Sequence, residues 1–154
     1  MRWMILPALA LLMLGGGANL AAAQRSRVPV PVTIEMLQAE LVARTGSDIV
    51  LFTGSSHGLD AAAQATLVAQ ASWLLSNPAI RVRIEGHADE RTPRDYALAV
   101  GERRANAVRD FLVLQGVPAA QLTIISWGKE RPVVGGASEG ALALNRRVKT
   151  VLMR

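Results

Sequence analysis

The sequence predicts an α+β fold, a two-layer α/β sandwich of order β-α-β-α-β-β, with a mixed four-stranded sheet and its helices on one face. Three observations carry this. Apolar or alternating runs near 48–52, 81–85, 122–127 and 147–152 read as strands. Two long segments between the first three runs carry apolar residues at helical spacing. Strands alternating with helices bury their apolar sides by stacking in two layers around one core.

The elements follow in order. Met1-Arg2, the apolar run Trp3 to Leu14, Gly15-Gly16-Gly17 and the small residues Ala21-Ala22-Ala23 have the layout of a secretory signal peptide over residues 1–23. The apolar run is shorter than the ~20 residues of a membrane span. Cleavage is expected between Ala23 and Gln24, and loss of Arg2 takes the net charge from +5 to +4. Residues 24–47 read as a linker and a short helix: two prolines and two arginines precede Val32, then Thr33 caps a helix to about Arg44. The main domain is expected over 48–154.

Asp48 to Phe52 is a short buried strand, and Thr53 to Gly58 a loop. Asp60 caps a helix in which Leu67, Ala71, Leu74 and Leu75 fall at helical spacing, until Asn77-Pro78 ends it. Arg81-Val82-Arg83-Ile84-Glu85 alternates as a half-buried strand. His87-Ala88-Asp89-Glu90-Arg91 then reads as the loop after that strand. Thr92 is expected as the N-cap of the next helix, with Pro93 in the first helical position and Asp95 completing a capping box. Leu98, Ala105, Val108 and Leu112 form the expected buried stripe, and Gly116 and Pro118 stop the helix. Leu122 to Trp127 is a third strand, Ser138 to Asn145 a short helix. Val148, Thr150 and Leu152 alternate with Arg147, Lys149 and Val151 in the last strand.

Composition excludes several functions. Lys+Arg outnumber Asp+Glu by only 17 to 12, acids and bases are interspersed, and the six aromatics (three Trp, two Phe, one Tyr) give no stacking stripe. That is not the footprint of a nucleic-acid binder. No cysteine is present, so the domain relies on an apolar core without disulfides, and no cysteine follows the signal to carry a lipid. The mature protein is therefore expected in the periplasm, soluble or attached to an envelope structure through its own binding surface.

Among the polar residues, His57 and His87 with scattered acids do not make a metal set. Asp89 and Glu90 could be read as the carboxylate pair of a periplasmic hydrolase. Adjacent loop residues seldom both face a substrate, however, and glycosidases need carboxyls on opposite sides of the bond. The strand end and helix start form a rim where backbone N–H groups favour an anion and Asp89 favours a cation.

Gly86-His87-Ala88-Asp89-Glu90-Arg91, with Gly101-Glu102-Arg103-Arg104-Ala105-Asn106-Ala107-Val108, resembles the signature of the OmpA-like peptidoglycan-binding domain, of the peptidoglycan-associated lipoprotein type. Tyr96, the stretch Ser126 to Pro132 and Asn145-Arg146-Arg147 add to the resemblance. It implies an OmpA-like fold and non-catalytic binding of the diaminopimelate-containing stem peptide of peptidoglycan, linking outer membrane or periplasm to the cell wall. Asp89 and Arg104 are then the ligand-binding residues, for the ammonium and the carboxylate respectively. His87, Glu90 and Thr92 join the candidate ligand set, with His87 more suited to fixing the turn. Asn145 and Arg146 are structural supports tying the last strand to the rim. No catalytic residue, metal or cofactor is implied, and a periplasmic protein of the Tol system is an expected partner. The chain departs from that type at Thr92, where glycine is usual, at Ala97, where asparagine is usual, in a first loop without aspartate, and in the missing lipid cysteine.

Overall fold

The computed structural model describes residues 30–154; the signal-peptide reading lies outside the described residues, as does most of the linker. Strands β1 (Ile49–Leu51), β2 (Arg81–His87), β3 (Leu122–Gly128) and β4 (Arg147–Met153) form one sheet in the order β1-β4-β2-β3. β4 runs antiparallel to β1 and β2, while β2 and β3 are parallel. A parallel pair needs a long crossover, here helix α3 (Arg94–Leu114), which packs on both strands it joins. Helices α1 (Ile34–Thr45) and α2 (Ala61–Leu75) complete the helical side, and α4 (Glu139–Asn145) precedes β4. This is the mixed α+β fold expected from the sequence.

Local chemistry sets the helix ends. Thr33 Oγ accepts from Met36 N at 3.3 Å and Asp60 from Ala63 N at 2.8 Å, each satisfying an orphan N–H of a first turn. α1 closes on Gly46 in the left-handed region, φ 84°. This helix belongs to the same compact unit as the sheet, Val32–Arg154, which therefore starts before residue 48. The reason lies in Gln38. β1 is only three residues long and leaves the end of β4 unpaired on that side. The Gln38 side chain takes the place of a neighbouring strand, donating to Thr150 O and accepting from Leu152 N, both at 2.9 Å.

The core lies between sheet and helices: Val82, Ile84, Val148 and Leu152 from the sheet meet Leu67, Leu74, Ala105, Val108 and Leu112. The α3 face keeps Ala105, Val108 and Leu112 of the expected stripe but not Leu98. Ala97, Val100, Gly101, Arg104, Ala105, Val108 and Leu112 are buried, and Leu98 is only half-buried. Glycine sets this phase. A Cβ on Gly86 of β2 would collide with the backbone carbonyl of Gly101 in α3, and one on Gly101 would collide with Ser126 Oγ of β3. Helix and sheet thus touch backbone to backbone, with Gly101 facing the sheet. Ser126 Oγ ties the contact by donating to Leu98 O at 2.7 Å.

Two expectations at the α3 start are corrected. His87 is the last residue of β2 rather than the first of a loop. The helix begins at Arg94 with Pro93 in the cap position, because Pro93 keeps an extended ψ of 150° while its carbonyl accepts the first helical bond from Ala97 N. Thr92 makes no cap, and its hydroxyl is buried without a partner.

The close approach is testable. Gly86→Ala should cost about 1–3 kcal/mol through overpacking against a backbone that has no rotamer to yield. Gly135→Ala, whose Cβ would meet nothing within 4 Å, should leave the urea unfolding midpoint unchanged.

Candidate functional site

Beyond the strand ends, the β1–α2 loop, the β2–α3 loop and α3 enclose a cleft of about 160 Å³ lined by Gly54, Ser55, Ala88, Asp89, Arg91, Thr92, Val100 and Arg104. A larger groove of about 640 Å³ lies between α1 and β4, but its lining is chiefly aliphatic and its Gln38 is already committed to β4. The polar groups converge on the smaller cleft.

Arg104 is the largest fully buried side chain, only 1% exposed. The sequence reading put it on the rim; it lies beneath it. α3 carries it there because Arg104 follows Gly101 by one helical turn, on the face pressed to the sheet. Its Nε donates to Ser56 O at 2.8 Å, Nη1 to His87 O at 2.9 Å and Nη2 to Gly54 O at 2.7 Å. Its guanidinium also lies over the Phe52 ring, 5.2 Å from the centroid. One side chain thus pins the β1–α2 loop to the end of β2. Burial, and then the neighbouring Arg146 charge, lower its pKa to about 10, so it stays cationic at neutral pH. Among the described residues no carboxylate forms an ion pair with it.

Asp89, also buried, lines the same cleft without touching Arg104. Oδ1 accepts from Arg91 N at 3.1 Å, and Oδ2 accepts from Arg91 Nη2 at 3.2 Å and Arg146 Nη1 at 3.0 Å. Burial raises its pKa, but the hydrogen bonds from Arg91 and Arg146 outweigh that and hold the carboxyl below its ordinary value. Arg146 also donates to Phe52 O at 3.2 Å and to Glu139 Oε1 at 3.1 Å, and Arg91 lies 3.5 Å from Glu139 Oε2. Asp89, Arg91, Glu139 and Arg146 therefore form a closed ring of alternating charge. Asn145 holds the loop before α4, accepting from Val133 N at 2.8 Å and donating to Val134 O at 2.8 Å.

Of the sequence candidates, the cleft brings together Asp89, Arg104 and Thr92, whose hydroxyl is buried without a partner. His87 and Glu90 do not line it. Glu90 is exposed, and the His87 imidazole stands on the sheet face away from α3, with Nε2 3.9 Å from Glu85 Oε2. The described residues hold no group of three or more His, Cys, Asp or Glu placed to bind a metal, and no helix among them is long and apolar enough to cross a membrane.

Residues 51–146 match the OmpA family. The chain belongs to the OmpA family. It is 49% identical over 105 residues to the peptidoglycan-associated lipoprotein of Agrobacterium fabrum, covering 68% of this chain and 59% of that protein. To the same-named protein of Pseudomonas aeruginosa it is 59% identical over 69 residues, covering 45% of this chain and 41% of the relative. The chain spans about 60% of the length of the first curated relatives it matches. Among solved structures, the peptidoglycan-associated lipoprotein from Burkholderia pseudomallei superposes with a TM-score of 0.68 at 40% identity, over 70% of this chain and 92% of the other. The C-terminal domain of Helicobacter pylori MotB superposes with a TM-score of 0.64 at 19% identity, over 70% and 84%, which establishes the shared fold.

Sequence reasoning missed Arg91 and Glu139 as members of the ring. They are 48 residues apart, and only the position of α4 against the rim joins them. It also missed the buried cluster on the other sheet face. There both ring nitrogens of His87, Nε1 of Trp127, and Nε and Nη1 of Arg147 are buried without a hydrogen-bond partner, while Arg131 stacks on Trp127, 3.4 Å from the ring centroid. The alternation of Arg147 and Lys149 with Val148 and Thr150 in β4 was the only signal, and it does not say what covers that face.

Burial, reinforced by the Arg147 charge, pushes His87 down to about 4. The unfolded imidazole titrates near 6.5. Between those values the unfolded chain takes up a proton that the folded chain does not. Stability is thus full above about pH 6.5 and falls as the pH drops toward 4. Urea unfolding should show a loss on the order of 2 kcal/mol between about pH 7.5 and about pH 5. His87→Gln should flatten that dependence.

Proposed function

We propose that this chain is a non-catalytic peptidoglycan-binding module of the bacterial cell envelope, exported to the periplasm, whose Asp89–Arg104 cleft grips the diaminopimelate of the stem peptide. The observation that carries this reading is the pair of buried opposite charges that line one small cleft without neutralising each other. The free end of diaminopimelate bears an ammonium and a carboxylate on one carbon, and the cleft offers one complement to each. Arg104 spends one N–H of each nitrogen on backbone carbonyls, which leaves an N–H on each of Nη1 and Nη2 for a carboxylate. Asp89 is ionised and accepts the ammonium, and the Thr92 hydroxyl supplies a further polar contact.

Membership of the OmpA family and the likeness to peptidoglycan-associated lipoproteins support the ligand class. The non-catalytic reading rests on the cleft's chemistry. Asp89 accepts from two guanidiniums and a backbone N–H, which disfavours the protonated carboxyl that a general acid needs. Glu90, the other half of a carboxylate pair, lies outside the cleft. The signal-like segment 1–23 supports export, with an exported form beginning at Gln24.

Co-sedimentation with purified sacculi tests the proposal: the protein should pellet with them and release no soluble fragments. Asp89→Ala and Arg104→Ala should each weaken calorimetric binding of a diaminopimelate-containing peptide by about 2–5 kcal/mol, since each leaves a ligand charge unpaired in a desolvated site. The double variant should lose less than the sum. Arg104→Ala should also destabilise the fold by about 1–3 kcal/mol by stranding buried carbonyls. Arg94→Ala, which removes an exposed pair with Glu130, should bind like the parent. Folded Asp89→Ala and Arg104→Ala proteins that bind at parental strength would refute the site.

A further inference from the structure

We infer that Arg91 is a resident stand-in for the ligand's ammonium group: its guanidinium holds the Asp89 carboxylate, and on binding it exchanges places with the ligand cation by moving fully onto Glu139. The inference rests on the Asp89–Arg104 reading and adds a displaceable, specificity-determining residue to it.

Asp89 is not an open acceptor. Its two oxygens take three hydrogen bonds, from the Arg91 backbone N–H, from Arg91 Nη2 and from Arg146 Nη1. A third cation brought to a carboxylate already shared by two guanidiniums meets repulsion from both, so one of them has to leave for the ammonium to bind well. The structure distinguishes the two. The Arg146 side chain is 7% exposed, and each of its guanidinium nitrogens is bonded, to Phe52 O, Asp89 and Glu139. Releasing it would strand a buried carbonyl and a buried charge. The Arg91 side chain is 51% exposed, and its guanidinium touches only Asp89 and Glu139. Only the arginine end of its pair with the buried Asp89 is open to solvent, so Arg91 can leave without stranding a buried charge of its own.

The receiving group is already in contact. Glu139, in the first turn of α4 and 72% exposed, lies 3.5 Å from Arg91 Nη1 and 3.1 Å from Arg146 Nη2. Arg91 therefore needs only to give up one of two carboxylates between which it is suspended. Its backbone N–H stays on Asp89 Oδ1, so the carboxylate remains aimed while the side chain departs. The exchange is neutral in charge, one cation for another. A ligand with the carboxylate but without the ammonium has nothing to offset the departure of Arg91 and meets Asp89 closed. The stand-in thus makes the cleft demand a cation and keeps Asp89 compensated when no ligand is there.

Isothermal titration of the purified protein with two synthetic stem tripeptides provides the test. One ends in meso-diaminopimelate; the other carries 2-aminopimelate, which differs only by lacking the side-chain ammonium. Arg91→Ala and Arg91→Gln, each checked for folding by circular dichroism, should bind the diaminopimelate peptide about two- to fivefold more tightly than the parent, the scale of an exposed ion pair. Binding of the 2-aminopimelate peptide should not improve. A merely structural Arg91 would weaken both peptides alike. A parent that binds the diaminopimelate peptide, with folded Arg91 variants that bind it no more tightly, overturns the exchange alone. A parent that binds neither peptide overturns the cleft reading and the exchange together.

Discussion

The backbone contact between α3 and β2 at Gly101 and Gly86 is the constraint on which the rest of the molecule depends. Two elements approach closely only where neither carries a side chain, and the absence of Cβ at both positions lets the helix settle directly on the sheet. That contact sets the rotation of α3. With Gly101 turned to the sheet, Ala105, Val108 and Leu112 enter the core below it, and Arg104 enters at the strand ends. The core and the site are thus two consequences of one helix orientation.

Burying Arg104 has an electrostatic cost that the surroundings meet with oxygen atoms rather than with a salt bridge. Carbonyls of Gly54, Ser56 and His87 each take one N–H, so the guanidinium keeps its charge and part of its donor capacity. A carboxylate partner would have neutralised it. Arg146 is held in the opposite way, by Asp89 and Glu139 together with a single carbonyl. Together the two arginines fasten the β1–α2 loop, the end of β2 and the start of β4. A mostly unneutralised cation thereby faces a compensated anion across a cleft too small for more than the end of a ligand. Loop carbonyls and the end of β2 anchor Arg104, while Arg91 and Glu139 are the exposed members of the ring.

The fold was legible from residues 48 to 154 because its signals are local. Alternation in Arg81–Glu85, helical spacing in Leu67–Leu74 and the cap at Asp60 act within a few residues of themselves, and the structure follows them; Leu75, next in the run, is exposed. The errors fall where local rules compete. Thr92 and Pro93 both offer to start α3, and the extended ψ of Pro93 decides for a start at Arg94. Leu98 shares its side of α3 with Ala105 and Leu112 but lies a turn nearer the end of the sheet, and it is only half-buried. His87, Glu85 and Arg147 alternate like a solvated face, yet Trp127 and the loop carrying Arg131 cover them.

By itself the sequence determined the fold class and the placement of Asp89 near a strand end and of Arg104 on the following helix. Those properties follow from residue types and spacings along one stretch of chain. Tertiary structure alone decided that Arg104 is buried among carbonyls, that His87 and Glu90 turn away from the cleft, and that Arg91 and Glu139 close a ring with Asp89 and Arg146. Each of these depends on contacts between residues distant in the chain, such as Arg104 with Gly54 or Arg146 with Asp89. A residue's spacing from its neighbours carries no information about which distant carbonyl or carboxylate it will meet, and that is settled only when the helix and the loops close over the sheet.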